Sequence, residues 1–283
     1  MSIVVTAATG HLGRLVVSSL LSRGVEPGQI LATGRSTERL AELAERGVRV
    51  AELDYNKPAE GVISAGDDVL LISGSEVGQR IEQHRNVIAL AQRADAARIV
   101  YTSVLRADDT TLAIAPEHVA TEAILKDSGV AYTILRNGWY NENYEQTFAQ
   151  AAHSGVVLTS AGEGRISSAS RKDFAEAATA VLTSQGHDGA VYELGGDTGF
   201  TMRELTDTFA TVLGRPIELQ NLSGEQHQAA LASAGLDELT TGFLVGLDRN
   251  TADGELFTDA KDLSRLIGRP TTPIAATVAS WNA

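Results

Sequence analysis

Val5-Thr6-Ala7-Ala8-Thr9-Gly10-His11-Leu12-Gly13 joins a β-branched run, Ile3–Thr6, to a stretch in which Leu12, Leu15, Val16, Ser19 and Leu20 share one helical face. Strand, glycine turn and helix in that order create an anion site. The first backbone N–H groups of a helix lack partners, and the helix dipole adds positive partial charge there. Gly10 can let the backbone approach phosphates, and Gly13 can let the helix pack closely on the sheet. Ala7 stands where the Gly-x-x-Gly-x-x-Gly pattern has its first glycine. Alanine should preserve the turn with slightly less room beside a ligand, and at a cost if φ is positive. A strand–turn–helix without any ligand is the plain alternative.

Outward from that turn, apolar runs continue at Ile30–Thr33, Val48–Leu53, Val69–Ile72, Arg98–Thr102 and Ala131–Arg136. Most are continuous and not alternating, as strands covered by helices on both faces are. Helical patterns lie between them, with Ile81, Ile88 and Ala91 on one stripe, and Gly24, Gly47 and Gly129 placed as helix C-terminal glycines. The expected fold is therefore α/β, a Rossmann-like doubly wound parallel sheet. A further strand, Ala190–Leu194, precedes a loop and a helix that opens at Thr201 with Glu204 as a capping box. We expect a dinucleotide-binding domain over 1–196 and a smaller C-terminal substrate-side region over 197–283, with contributions from about 138–170 and one strand at Ile217–Leu222. The two should pack as one rigid unit.

The 283 residues carry a formal net charge of -13, which argues against a nucleic-acid partner, because phosphate binding needs a basic face. No apolar run is long enough for membrane insertion. No cysteine is present, so disulfide and thiol chemistry are excluded. With no signal-peptide pattern either, the cytoplasm is the expected location. Homo-oligomerisation is left open. The six histidines show no metal-ligand spacing, so no metal is expected.

The second strand ends Gly34-Arg35-Ser36, with no carboxylate at its tip. NAD sites place an Asp or Glu there for the ribose 2′-hydroxyl. A guanidinium instead matches a 2′-phosphate, which favours NADPH; a solvated surface arginine is the alternative. Ketone-reducing short-chain dehydrogenases protonate the product from a Tyr-x-x-x-Lys pair on the helix after the fifth strand. Here that spacing holds His118 and Glu122. The commoner reading of such a pair is an exposed helix contact, with proton transfer by His118 as the other. A ketone accepting hydride needs an acid, whereas a quinone becomes a stabilised anion that takes its proton from water. Loss of the tyrosine points to an electron-poor acceptor or to no catalysis.

Several longer stretches then carry a likeness: Leu71–Arg80 with His84–Ile88, Tyr101-Thr102-Ser103, Leu135-Arg136-Asn137-Gly138-Trp139-Tyr140-Asn141-Glu142-Asn143-Tyr144, and Leu263–Thr272. With these the chain resembles the NmrA-like branch of atypical short-chain dehydrogenases, and within it the flavin-free bacterial NADPH:quinone oxidoreductases. The resemblance implies hydride transfer from NADPH to a quinone without flavin. It implies cofactor contacts at Thr6, Ala7, Ala8, Thr9, Gly10, His11, Leu12 and Gly13, at Arg35, at Ser73, Gly74, Ser75 and Thr102, and at Asn137 through Glu142. Gly74 stands where that family has a serine, so its contact is reduced to backbone. Glu76, Trp139, Tyr140 and Asn143 are the candidate substrate neighbours, with His118, Tyr140 and Asn143 as candidate catalytic groups. Core packing, turns and helix entry compete for the same residues. The run Arg165–Asp173 either closes over the cofactor or is a helix start capped by Ser170. A non-catalytic NADP redox sensor acting on a protein partner is the rival function. An isoflavone-reductase-like or epimerase-like enzyme is a third reading, but Glu122 and His118 occupy its lysine and tyrosine positions.

Overall fold

The computed structural model describes residues 2–282. In its first half the chain runs β1 (Ile3–Val5), α1 (His11–Ser22), β2 (Ile30–Gly34), α2 (Ala41–Glu45), β3 (Arg49–Glu52) and β4 (Asp68–Leu71). Then come α3 (Arg80–Arg93), β5 (Arg98–Val104), α4 (Ala115–Asp127) and β6 (Ala131–Asn137). After α5 (Glu145–Ser154), two short strands, β7 (Val156–Thr159) and β8 (Arg165–Ile166), lead to α6 (Arg171–Thr183) and β9 (Val191–Leu194). The last third holds β10 (Phe200–Thr201), α7 (Met202–Leu213), β11 (Glu218–Asn221), α8 (Gly224–Ser233), α9 (Glu238–Ala252), α10 (Asp262–Ile267) and α11 (Ile274–Ser280).

Seven strands form one sheet in the order β3-β2-β1-β4-β5-β6-β9, every neighbouring pair parallel. Hydrogen bonding in register carries each strand end to the same edge, so the β1, β2, β4, β5 and β6 tips face one groove. Helices cover both faces, which is why strands such as β2 and β5 are buried along their whole length. Val5, Leu12, Val16 and Leu20 pack with Phe174 and Ala178 of α6 on one face. Val4, Leu71, Val87, Tyr101 and Leu125 pack together on the other.

A third core, built from Phe148, Val157, Leu205, Phe209 and Val278, lies beyond the sheet with Trp139 and Tyr144 against it. It gains two strand pairings, β11 parallel to β7 and β10 antiparallel to β8. The capping box at Thr201 and Glu204 forms, and Met202, Leu205 and Phe209 give α7 its buried face. Among the described residues, no helix is long and apolar enough to cross a membrane, and no group of His, Asp or Glu is arranged to hold a metal ion.

Candidate active site

The α1 entrance has the features an anion needs. Gly10 is its N-cap with no side-chain cap, so the first N–H groups of the helix point outward unclaimed. A Cβ on Gly13 would lie 2.7 Å from both the Ala7 carbonyl oxygen and the Ala8 Cα, so only glycine lets α1 sit this close to β1. The turn survives the Ala7 replacement: Gly10 N–H donates to the Ala7 carbonyl at 3.0 Å. Ala7 itself adopts φ 48°, a left-handed conformation that costs an alanine about 1 kcal/mol. Thr6 is fully buried, and its hydroxyl meets Tyr55 Oη and accepts from Ile72 N–H, so it ties the end of β1 to the end of β4.

Arg35 lies just past β2 with its side chain 63% exposed. Two further arginines join it, which the sequence reading missed. Arg39 Nη2 donates to the Thr9 carbonyl at 3.3 Å, Arg14 Nε reaches the same oxygen at 3.5 Å, and Arg14 also donates to the Arg39 carbonyl. The i, i+4 relations Gly10–Arg14 and Arg35–Arg39 were the available signal. Glu76 accepts from Arg35 Nη1 at 2.7 Å and from Gln83 Nε2 at 2.8 Å, so it stands at the arginine end of the groove.

Along the other strand tips, Ser73 N–H donates to Thr102 Oγ1 at 2.9 Å, joining the β4 and β5 ends. The Gly74 peptide is held from both sides. Its N–H donates to His84 Nε2 at 3.0 Å, and its carbonyl accepts from Arg80 Nε at 2.6 Å. Gly138 is pressed against the Leu194 carbonyl, where a Cβ would come within 2.8 Å. Asn137 Oδ1 and Trp139 Nε1 are buried polar atoms without a partner among the described residues. Tyr140 packs edge-on to Phe174 with the Arg171 guanidinium 5.1 Å above its ring, and burial raises its phenol pKa.

The following residues hold the third core to α6. Asn141 is fully buried, accepts from Ser168 Oγ and donates to Thr277 Oγ1 at 2.8 Å. Both Glu142 oxygens accept from Arg171 N–H at 3.0 Å, and Asn143 accepts from the Arg171 side chain. The Ser170 cap of α6 forms, its hydroxyl accepting from Asp173 N–H.

His118 and Glu122 require a correction. They are not an exposed helix pair: both are 3% exposed and each has a different partner. His118 Nδ1 lies 2.8 Å from Tyr101 Oη, and burial lowers its pKa to about 4. Glu122 accepts from Ser103 Oγ at 2.7 Å and from Arg136 Nε and Nη2 at 2.9 and 2.8 Å. The strands beneath α4 supply better partners than the helix neighbour does. His84 completes this layer. Since its Nε2 accepts from Gly74, its proton sits on Nδ1, facing Thr121 Oγ1 at 3.0 Å, and burial lowers its pKa to about 3.

A family described as NAD(P)H-binding matches residues 7–185, from the glycine turn to just past α6. The chain belongs to this NAD(P)H-binding family. Quinone oxidoreductase 2 of Escherichia coli is 44% identical over 278 residues, covering 98% of this chain and 97% of that protein. The crystal structure of an NADPH-dependent quinone oxidoreductase from Escherichia coli in complex with NADPH matches with a TM-score of 0.92 over 98% of this chain and 99% of that one. The Citrobacter sp. triphenylmethane reductase complexed with NADP(H) is 33% identical with a TM-score of 0.93, covering 99% of both chains. An NmrA-like family domain-containing oxidoreductase of Aspergillus flavus is 27% identical, over 96% of this chain and 92% of that protein.

Proposed function

We propose that the protein is an NADPH-dependent oxidoreductase that passes hydride directly to a quinone or a similar electron-poor acceptor. The observation that carries the reading is the uncapped α1 entrance beside three guanidinium groups, in a chain 44% identical to a quinone oxidoreductase along nearly its whole length. The groove fits a phosphorylated dinucleotide. His11, Leu12 and Gly13 N–H groups would face the diphosphate, and Arg35, with Arg14 and Arg39, would receive the 2′-phosphate. Ser73, Ser75 and Thr102 would line the middle of the groove, and Asn137 to Tyr140 the nicotinamide end. The unpartnered Asn137 Oδ1 supports that placement, because a carboxamide N–H would satisfy it.

When bound, NADPH supplies the hydride. The chain's own contribution is to fix the groove walls, exclude water and leave the acceptor facing the β6 tip. His118 and Glu122 are engaged with Tyr101 and Arg136, which leaves no dedicated acid from α4 at the acceptor. The acceptor must then leave as an anion stable enough to be protonated by water, which suits a quinone. A triphenylmethane dye, on which the Citrobacter relative acts, is an electron-poor acceptor of the same kind. NADPH oxidation with a panel of benzoquinones and naphthoquinones tests the reading. Turnover well above the uncatalysed rate is expected; a rate equal to it across the panel would leave only a nucleotide-binding protein.

A further inference from the structure

The Arg35–Glu76 ion pair joins two strand tips that are not neighbours. Arg35 follows β2 and Glu76 follows β4, and β1 lies between those strands in the sheet. The pair therefore spans the end of β1, where the glycine turn enters α1. Glu76 is also held from behind, because Gln83, itself 4% exposed, donates to its second oxygen at 2.8 Å and to Asn56 Oδ1 at 3.3 Å. Its loop is tethered further by the clamp on Gly74 and by Gly78 N–H donating to Glu117 at 2.9 Å. Arg14 and Arg39, by contrast, have no acidic partner among the described residues.

We propose that Glu76 is a latch on Arg35 that the 2′-phosphate of NADPH must displace, so that Glu76 sets how strongly the protein prefers NADPH over NADH. This role rests on the NADPH reading above. A phosphate dianion and a carboxylate compete for one guanidinium, and Gln83 keeps the carboxylate close after it loses. NADH offers a hydroxyl at that position and leaves the pair in place. Glu76 is thus a positioning residue acting through Arg35, not a substrate neighbour.

Calorimetric titration of wild type, Glu76→Gln, Arg35→Ala and the double variant with NADPH and with NADH tests it. Glu76→Gln should lower the NADPH Kd about two- to fivefold, the range of an exposed ion pair. The NADH Kd should stay within about twofold, and added salt should narrow the NADPH gain. In the Arg35→Ala background, Glu76→Gln should change the NADPH Kd by less than about twofold. The role is overturned if the NADPH Kd is unchanged or rises, if both nucleotides tighten equally, or if binding of both is lost. An increase in the acceptor KM with NADPH binding unchanged would return Glu76 to the substrate side. A wild type that binds the two nucleotides equally would overturn the NADPH reading itself; NADPH preference with an inert Glu76→Gln would overturn only the latch.

Discussion

The α1 entrance and the middle of α4 both carry polar groups at helical spacing beside the sheet, and they are built in opposite ways. At α1 the N-cap contributes no side chain, Ala7 is strained, and Arg14 and Arg39 hold only carbonyl oxygens. In the middle of α4, His118 and Glu122 are buried and matched: His118 to Tyr101, and Glu122 to Ser103 and Arg136. Arg136 is shared further with Asp108 and Glu193 at 2.9 Å, so α4, β6, β9 and the loop after β5 meet at one guanidinium. Groups left unsatisfied are open to a ligand, whereas groups satisfied internally stabilise the fold.

The sharpest way to break this contrast is Arg136→Met. It leaves the buried Glu122 with only the half-exposed Lys126 at 3.6 Å as counter-ion and should destabilise the protein by about 3 kcal/mol in urea titrations, while the folded fraction keeps its NADPH affinity. Arg35→Asp should do the reverse. We expect a loss of about 1.5–3 kcal/mol in NADPH binding, roughly ten- to a hundredfold in Kd, with NADH binding and the urea midpoint nearly unmoved.

Acid sharpens the same contrast. His84 and His118 titrate near 3 and 4 when folded and near 6.5 when unfolded, so the unfolded chain binds more protons below pH 6.5. Their contribution is fully present above about pH 6.5 and is lost as the pH falls toward 4 for His118 and toward 3 for His84, by up to about 1.4 kcal/mol per pH unit for each histidine. Thermal unfolding between pH 7 and 4 should follow that slope, and His118→Gln should flatten it. The smallest effect belongs to Ala7→Gly. It relieves the positive φ but loosens the unfolded chain, for a net gain of about 0.5 kcal/mol.

Much of this was legible beforehand because it is local. Continuous apolar runs located the sheet strands to within a residue or two, and the glycine turn, the Thr201 capping box and the Ser170 cap are contiguous patterns. What stayed hidden depends on distant partners. Val156–Thr159 lies outside the run of sheet strands, and its pairing partner is the distant Glu218–Asn221. The spacing of His118 and Glu122 put them on one face of a helix but could not say that Tyr101 and Arg136 lie beneath it. Nothing local to Glu76 indicates Arg35, because the pairing arises from the strand order. Arg14 and Arg39 sit among ordinary helix-surface charges until the fold gathers them at Thr9.

The most direct measurement is calorimetry of the purified protein with NADPH and with NADH. Single-site binding that is tighter for NADPH, with the difference abolished by Arg35→Asp, is the predicted result. No detectable uptake of NADPH would contradict the assignment of the groove.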